Sequence, residues 1–285
     1  MSASPSTHVE YTFPLAGKVA VVTGASRGIG AGVAIELARR GAATIILGYT
    51  SPGSEADVQA LASRIRALPH HPAAHPCRAD LGTIDGAEVF VADLLAWWKE
   101  KREEENISRS STTAPTSLPL HIDILVNNAG VDVVRPLADI SPADFDFVYG
   151  VNVRGVILLT QALLPHFNAG GRIINIGSVG ARAGFKAMSL YCSSKAALEG
   201  LTRCWAAELG GDGTTVNCVN PGPVPSAMLD GVPPGIVAMQ KASTPVQNRL
   251  GTVAEIAGVV AALAGRDGAW VSGQVISASG GWAMY

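Results

Sequence analysis

Tyr191 and Lys195 stand four residues apart in Tyr191-Cys192-Ser193-Ser194-Lys195, and Ser178 lies thirteen residues before the tyrosine, after an apolar stretch. On a helix, positions i and i+4 share a face, so this spacing sets an ammonium beside a phenol. A free phenol titrates near ~10, so acid or base work at neutral pH calls for a shift of about 3 units, roughly 4 kcal/mol. One positive charge about 4 Å away supplies that much at an effective dielectric near 20. The three residue types together therefore describe a proton-transfer site: a phenol, a tuning cation and a hydroxyl. Taken alone, the pair reads better as two surface residues on an amphipathic helix. The elements around it decide.

From Lys18 to the C-terminus, apolar runs alternate with stretches of helical periodicity, which predicts parallel strands with helices on both faces. Strands are expected at Val19–Val22, Thr44–Leu47, His75–Arg78, Ile122–Val126, Gly171–Ile176, Thr214–Val219 and Gln274–Ser277. Helices are expected at Gly28–Arg40, Ser54–Ala67, Thr83–Trp98, Pro142–His166, Leu190–Gly210 and Val253–Ala264. The fold class this predicts is α/β, a single Rossmann-type doubly wound domain with a seven-stranded parallel sheet flanked by helices. Residues 1–16 are expected as a flexible arm ahead of a domain spanning 17–285. The stretch 99–119 opens on Lys-Glu-Lys-Arg-Glu-Glu-Glu and ends rich in Ser, Thr and Pro, which predicts a solvated helix extension running into a flexible insertion.

The chain has 285 residues, 48% hydrophobic and 15% charged, with 32 glycines, enough for one large domain with a sizeable core. A formal net charge of −2 gives no basic field for nucleic acid or an anionic membrane. No apolar run approaches the ~18–20 residues of a membrane span, and residues 1–9 carry no apolar signal region. Cys77, Cys192, Cys204 and Cys218 show no CxxC pair and no metal-ligand spacing, so reduced thiols and no bound metal are expected. Together these predict a cytoplasmic enzyme.

Thr23-Gly24-Ala25-Ser26-Arg27-Gly28-Ile29-Gly30 follows the first strand and opens the first helix. In that setting glycines permit a tight turn and close backbone approach, and the helix N-terminus offers free N–H groups to a pyrophosphate. An NAD site has an Asp or Glu about 20 residues beyond the glycines, gripping the ribose diol. Here the second strand leads into Gly48-Tyr49-Thr50-Ser51, with no carboxylate before Glu55. Small hydroxyls, with the Arg27 cation inside the loop, suit a 2′-phosphate, and NADP(H) is the expected cofactor.

These motifs, in this order, resemble the short-chain dehydrogenase/reductase family over about residues 17–285. The resemblance rests on the Thr23–Gly30 loop, Asp80-Leu81, Asn127-Asn128-Ala129-Gly130, Asn152 within Val151-Asn152-Val153, Ser178, the Tyr191/Lys195 pair and Pro221-Gly222. It implies that Tyr191 is the acid that protonates a carbonyl oxygen as hydride arrives from the nicotinamide. Lys195 would lower the phenol and hold the nicotinamide ribose, Ser178 would hold the substrate oxygen, and Asn152 would position a water behind Lys195. The cofactor set it implies is Gly24, Ser26, Arg27, Gly28, Ile29 and Gly30 at the pyrophosphate, and Tyr49 and Ser51 at the 2′-phosphate end. Asp80 and Leu81 would meet the adenine, and Asn127, Ala129 and Gly130 its ribose. Pro221, Gly222, Val224 and Ser226 would cover the nicotinamide, with Tyr191 and Lys195 beneath. Ser226 stands where the family has threonine, and Ser277 opens a segment where it often has aspartate.

The substrate is expected between Val131–Val134, Gly180–Leu190 and a lid over Ser226–Asn248, against Val131, Val133, Phe185, Met188, Leu190, Met228, Leu229 and Met239. Those side chains predict a mainly apolar small ketone, or the corresponding secondary alcohol, and the resemblance extends to fungal polyketide-type ketone reductases. Four alternatives use the same residues: an alcohol dehydrogenase working oxidatively, a reductase of 3-oxoacyl-carrier-protein type, an isomerase or cyclase without net redox change, and a non-catalytic dinucleotide-binding protein. The family resemblance also implies a homotetramer or homodimer.

Overall fold

The computed structural model of the chain describes residues 13–108, 119–226, 229 and 232–285. Seven strands pair in parallel in the order β3-β2-β1-β4-β5-β6-β7. They are β1 (Val19–Val22), β2 (Thr44–Tyr49), β3 (Ala73–Arg78), β4 (Ile122–Asn127), β5 (Phe167–Ile176), β6 (Thr215–Pro221) and β7 (Val275–Ala278). Side chains alternate across a strand, and β1 shows why its run is apolar throughout: Ala20 and Val22 enter one core, Val19 and Val21 the other. The first core is closed by α1 (Gly28–Arg39), α2 (Glu55–Arg66) and α9 (Val253–Ala264), through Val33, Leu37, Ile65 and Val260. The second is closed by α3 (Gly86–Ser108), α5 (Val156–Leu163) and α7 (Ser189–Leu209), which follows the single turn α6 (Gly180–Ala183); here Phe90, Leu94, Leu159 and Leu163 meet Ile46, Ile173 and Val216. Strand order reverses between β1 and β4, and the crevice outside their carboxyl ends is where such sheets bind ligands.

Several boundaries differ from expectation. Leu15, assigned to the N-terminal arm, is buried and its N–H donates to the Arg40 carbonyl, so the packed domain begins before residue 17. Residues 1–12 and 109–118, which hold the rest of the arm and the end of the insertion, lie outside the described residues. Helix α3 continues through the charge run to Ser108.

The long helix from Pro142 is three pieces: α4 (Pro142–Tyr149), a π-helical turn over Gly150–Gly155, and α5. Its Pro142–His166 stretch is long and apolar enough to cross a membrane, with mean hydropathy 1.5, contrary to the expectation that no run approaches that limit. Here the apolar residues serve the core: Val148, Val156, Leu159 and Leu163 are buried beneath it. The expected lid holds α8 (Pro234–Ala242), with Pro234 seated at the first turn, where a missing N–H costs nothing. Met228 of the expected lid lies outside the described residues.

Candidate active site

The glycine loop leaves β1 and turns into α1 with Arg27 extended at the N-cap and no side chain capping the helix. Gly28 takes φ +57°, and a Cβ added there would meet nothing within 4 Å, so the loop opens onto free space in front of the helix N-terminus. Gly30 is the opposite case: an added Cβ would collide with the Gly24 carbonyl and the Asn128 amide. The turn is therefore wound against its support and presents bare backbone outward, a cradle that fits a pyrophosphate.

That support comes from Asn128 and Thr23. Asn128 donates its side-chain amide to the carbonyls of Thr23 (2.9 Å) and Gly24 (3.1 Å), and the Thr23 hydroxyl accepts from the backbone N–H of Asn128 and of Ala129, both at 2.9 Å. Asn127, expected at the adenine ribose, turns its side chain the other way. It ends β4 with its amide buried, donating to Thr160 Oγ1 (3.2 Å) and Asn175 Oδ1 (2.9 Å). Successive residues at a strand end face opposite sides, so only one of two adjacent asparagines can reach the loop.

At the far end of the cleft, Tyr49 ends β2 beside Arg78 of β3, its register partner. Burial, then Glu55, raises the Tyr49 phenol above its ordinary value. Arg27 and Ser51 are exposed on the same rim, and Ser51 Oγ accepts from the Gly53 N–H at 3.1 Å, which leaves its hydroxyl hydrogen free to donate. Asp80 is exposed and fixed by a bond from Gly82 N–H to its Oδ1 at 2.9 Å, while Leu81 behind it is buried.

The proton-transfer residues meet at the carboxyl ends of β4, β5 and β6. Helix α7 carries Tyr191 and Lys195 on its buried face. Ser178 stands beside Tyr191, close enough for its hydroxyl to pull the phenol down, and its Oγ accepts the Gly180 N–H at 3.0 Å. Lys195 Nζ donates to the Ile176 carbonyl at 2.8 Å and stands 5.9 Å from the Tyr191 ring centroid. Asn152 sits on the π-helical turn, wholly buried; it accepts from Val131 N–H (2.8 Å) and donates to Val131 O (2.8 Å) and Ser194 Oγ (2.9 Å). A Cβ added at Gly130 would lie 3.2 Å from Lys195 Nζ and 3.4 Å from Asn152 Oδ1, so lysine and asparagine converge on one point of backbone.

The electrostatics differ from expectation in one respect. Burial brings Lys195 down to about 8, and the same burial pushes the Tyr191 phenol up, against the Ser178 hydrogen bond and with help from Asp132 and Cys192. The ammonium is spent on the Ile176 carbonyl rather than on the phenol oxygen. Asp132, whose carboxyl is itself raised by burial, adds a polar group to a pocket expected to be mainly apolar. The two walls of that pocket are tied by Arg135 N–H to Ala187 O at 2.7 Å, and Phe185 packs edge-on against Trp282 at 5.7 Å.

The description "short chain dehydrogenase" matches residues 18–100, and "Enoyl-(Acyl carrier protein) reductase" matches residues 102–283. The chain is 40% identical over 271 residues to the short-chain dehydrogenase/reductase FrzI of a Cladobotryum species, covering 93% of this chain and 95% of that one. It belongs to the short-chain dehydrogenase/reductase family. Another member, hydroxynaphthalene reductase arp2 of Aspergillus fumigatus, is 33% identical over 93% of this chain and 92% of its own. Among solved structures, the angucycline C-6 ketoreductase LanV with bound NADP superposes with a TM-score of 0.79 at 31% identity, over 94% of this chain and 96% of that one.

In this short-chain dehydrogenase/reductase, then, the fold brings Ser178, Tyr191, Lys195 and Asn152 together at one end of the cleft, with Gly24–Gly30 in its floor. Pro221 and Gly222 close β6, with Gly222 N–H donating to Ala278 O at 3.0 Å. Val224 is buried beyond them, and Ser226 Oγ accepts from Leu229 N–H at 3.4 Å. Thr23, Asn128 and Asp132 went unassigned from the sequence. The doubled asparagine was the available signal for Asn128. A second grouping is also invisible in the linear chain: His75, Cys77 and Asp93 bring their ligand atoms within 4.8 Å of one another. His75 bonds Asp93 at 3.0 Å and stacks on Trp97, while burial holds the Cys77 thiol protonated, donating to Phe90 O.

Proposed function

We propose that this chain is an NADPH-dependent ketone reductase acting on a mainly apolar small molecule. The observation that carries the reading is the buried Tyr191–Ser178 pair at the mouth of the glycine-loop cleft. A phenol raised by burial keeps its proton at neutral pH, which is the form a reduction needs and an oxidation does not. The reductive direction is favoured over the oxidative alternative by the cofactor end, where hydroxyls and Arg27 in place of a carboxylate suit NADPH, a cofactor whose cellular pool drives reduction.

When bound, NADPH supplies hydride to the carbonyl carbon. The chain supplies everything else. The Gly24–Gly30 backbone and the α1 N-terminus hold the pyrophosphate, and Arg27 with Ser51 and Tyr49 receive the 2′-phosphate. Asp80 and Leu81 flank the adenine, and the Pro221–Ser226 segment covers the nicotinamide. Ser178 donates to the carbonyl oxygen and stabilises the charge growing there. Tyr191 transfers its proton to that oxygen, and the Lys195 ammonium, anchored on the Ile176 carbonyl, acts on the resulting phenolate through space, 5.9 Å from the ring centroid. Asn152, fully committed to Val131 and Ser194, fixes the loop under Lys195 as a positioning residue.

Relatives named for reduction of a hydroxynaphthalene and of an angucycline at C-6 support a ring ketone flanked by Phe185 and Met188. Asp132 beside the phenol favours a substrate that also carries a hydroxyl donor. Exposed Phe145 on α4, with Tyr149, Val153 and Leu158 lining the same groove, supports pairing of two copies across this face. The test is consumption of NADPH and of NADH across a panel of aromatic and alicyclic ketones and quinones. Turnover of at least one with NADPH, and little with NADH, is expected; no turnover of any, or equal use of both cofactors, would count against it.

A further inference from the structure

Helix α7 carries one more residue on the stripe of Tyr191 and Lys195. Glu199 lies four residues beyond the lysine, only 6% exposed, and the chemistry above makes no use of it. A carboxylate buried under an active site needs partners, and it has three contacts from two. Arg182 Nε donates to both of its oxygens, at 3.1 and 2.9 Å, and Asn220 Nδ2 donates to Oε1 at 2.7 Å. The other end of the Asn220 amide accepts the backbone N–H of Ser178 at 3.0 Å and lies 3.4 Å from the Cys218 thiol.

An amide side chain has two nearly isosteric ends, one donating and one accepting, and either orientation fits the same space. A carboxylate accepts only. With Glu199 ionised, the NH2 of Asn220 must face it, which turns Oδ1 to the Ser178 N–H and the Cys218 S–H, two donors for one acceptor. The reverse orientation would set oxygen against carboxylate and NH2 against two donors. The same corner is braced on its next residue: Val179 N–H donates to Pro221 O at 3.2 Å, and the Tyr285 hydroxyl donates to Val179 O at 2.9 Å. The Tyr285 ring lies 5.0 Å from the Arg182 guanidinium, so Arg182 joins both braces.

We propose that Glu199 is a positioning residue of the reductase: by fixing the Asn220 amide in one orientation it fixes Ser178, and so the hydroxyl that faces Tyr191. The inference rests on the role given to Ser178 above. Glu199→Gln keeps the shape and removes the directionality, because glutamine can present either end to Asn220. It should lower kcat by roughly 10- to 100-fold, the cost of a small misplacement at the reacting centre, with the KM for NADPH unchanged.

Two cycles test it on the best ketone substrate. In the first, Glu199→Gln is combined with Ser178→Ala, and the double variant should be no slower than Ser178→Ala alone, because the glutamate acts only through the serine. In the second, Asn220→Asp sets two carboxylates together and should be slow by itself. The pair Glu199→Gln with Asn220→Asp restores one donor facing one acceptor and should recover most of kcat, even if either single variant folds poorly. Full additivity in the first cycle, or no recovery in the second, would overturn the proposal. Undiminished activity of Ser178→Ala would instead refute the role of Ser178 itself, a distinct outcome that removes the ground of both readings.

Discussion

Replacing Lys195 by methionine should make the protein inactive and more stable at neutral pH. The lysine is buried, and its pKa falls from 10.5 to about 8. That difference corresponds to roughly 3 kcal/mol by which the native state disfavours the ammonium it holds at neutral pH. Methionine fills similar space without charge, but it abandons the bond to Ile176 O, and a buried carbonyl left unpaired costs about 1–3 kcal/mol. The net expectation is a gain of about 1 kcal/mol, or a melting temperature about 2–4 °C higher. The sign with pH follows from the depressed native pKa. Between about 8 and 10.5 the unfolded chain binds more protons than the native one, so wild-type stability climbs relative to the variant across that window. Differential scanning calorimetry of both proteins through this range reads the gap directly, since all other titrations cancel in the difference. The advantage of Lys195→Met should be full below pH 8 and vanish or reverse by 10.5. A variant that melts lower at neutral pH, or a gap that does not change with pH, would refute the reasoning.

Other expectations follow from single contacts. Arg27→Ala should weaken NADPH binding by about 1–3 kcal/mol, read by fluorescence titration, while NADH binding changes little. Gly30→Ala places a methyl group against the Gly24 carbonyl and the Asn128 amide, so it should lower both cofactor affinity and melting temperature, the latter measured without cofactor. In the α4 face, Phe145→Glu should shift the light-scattering mass of a dimer or tetramer toward the monomer; a wild-type monomer at micromolar concentration would reject pairing across this face.

The fold was readable because parallel strands buried on both faces leave continuous apolar runs, and each expected strand lies where its run stands, within a few residues. The glycine loop and the Tyr191/Lys195 spacing were readable because each is local, a turn or one helical face. What escaped depended on sheet geometry. Neighbouring asparagines at the end of β4 are equivalent on paper, yet Asn127 joins a buried ladder through Asn175 while Asn128 braces the loop. The direction of the Lys195 ammonium is set by the Ile176 carbonyl, nineteen residues away in a different element, and no spacing rule reports it. Asp132 and the Glu199–Asn220 link likewise join loops and strands far apart in sequence. The π-helical turn over Gly150–Gly155 interrupts a stretch that the sequence offers as one helix from Pro142 to His166.

The chemistry proposed above turns on the Tyr191 phenol as the proton donor. The most direct measurement is single-turnover reduction of the best ketone by the Tyr191→Phe protein saturated with NADPH, with NADPH affinity measured on the same sample. The rate should be lower by roughly 10²- to 10⁴-fold, with NADPH affinity close to that of the wild type. Full-rate reduction by the phenylalanine variant would contradict it.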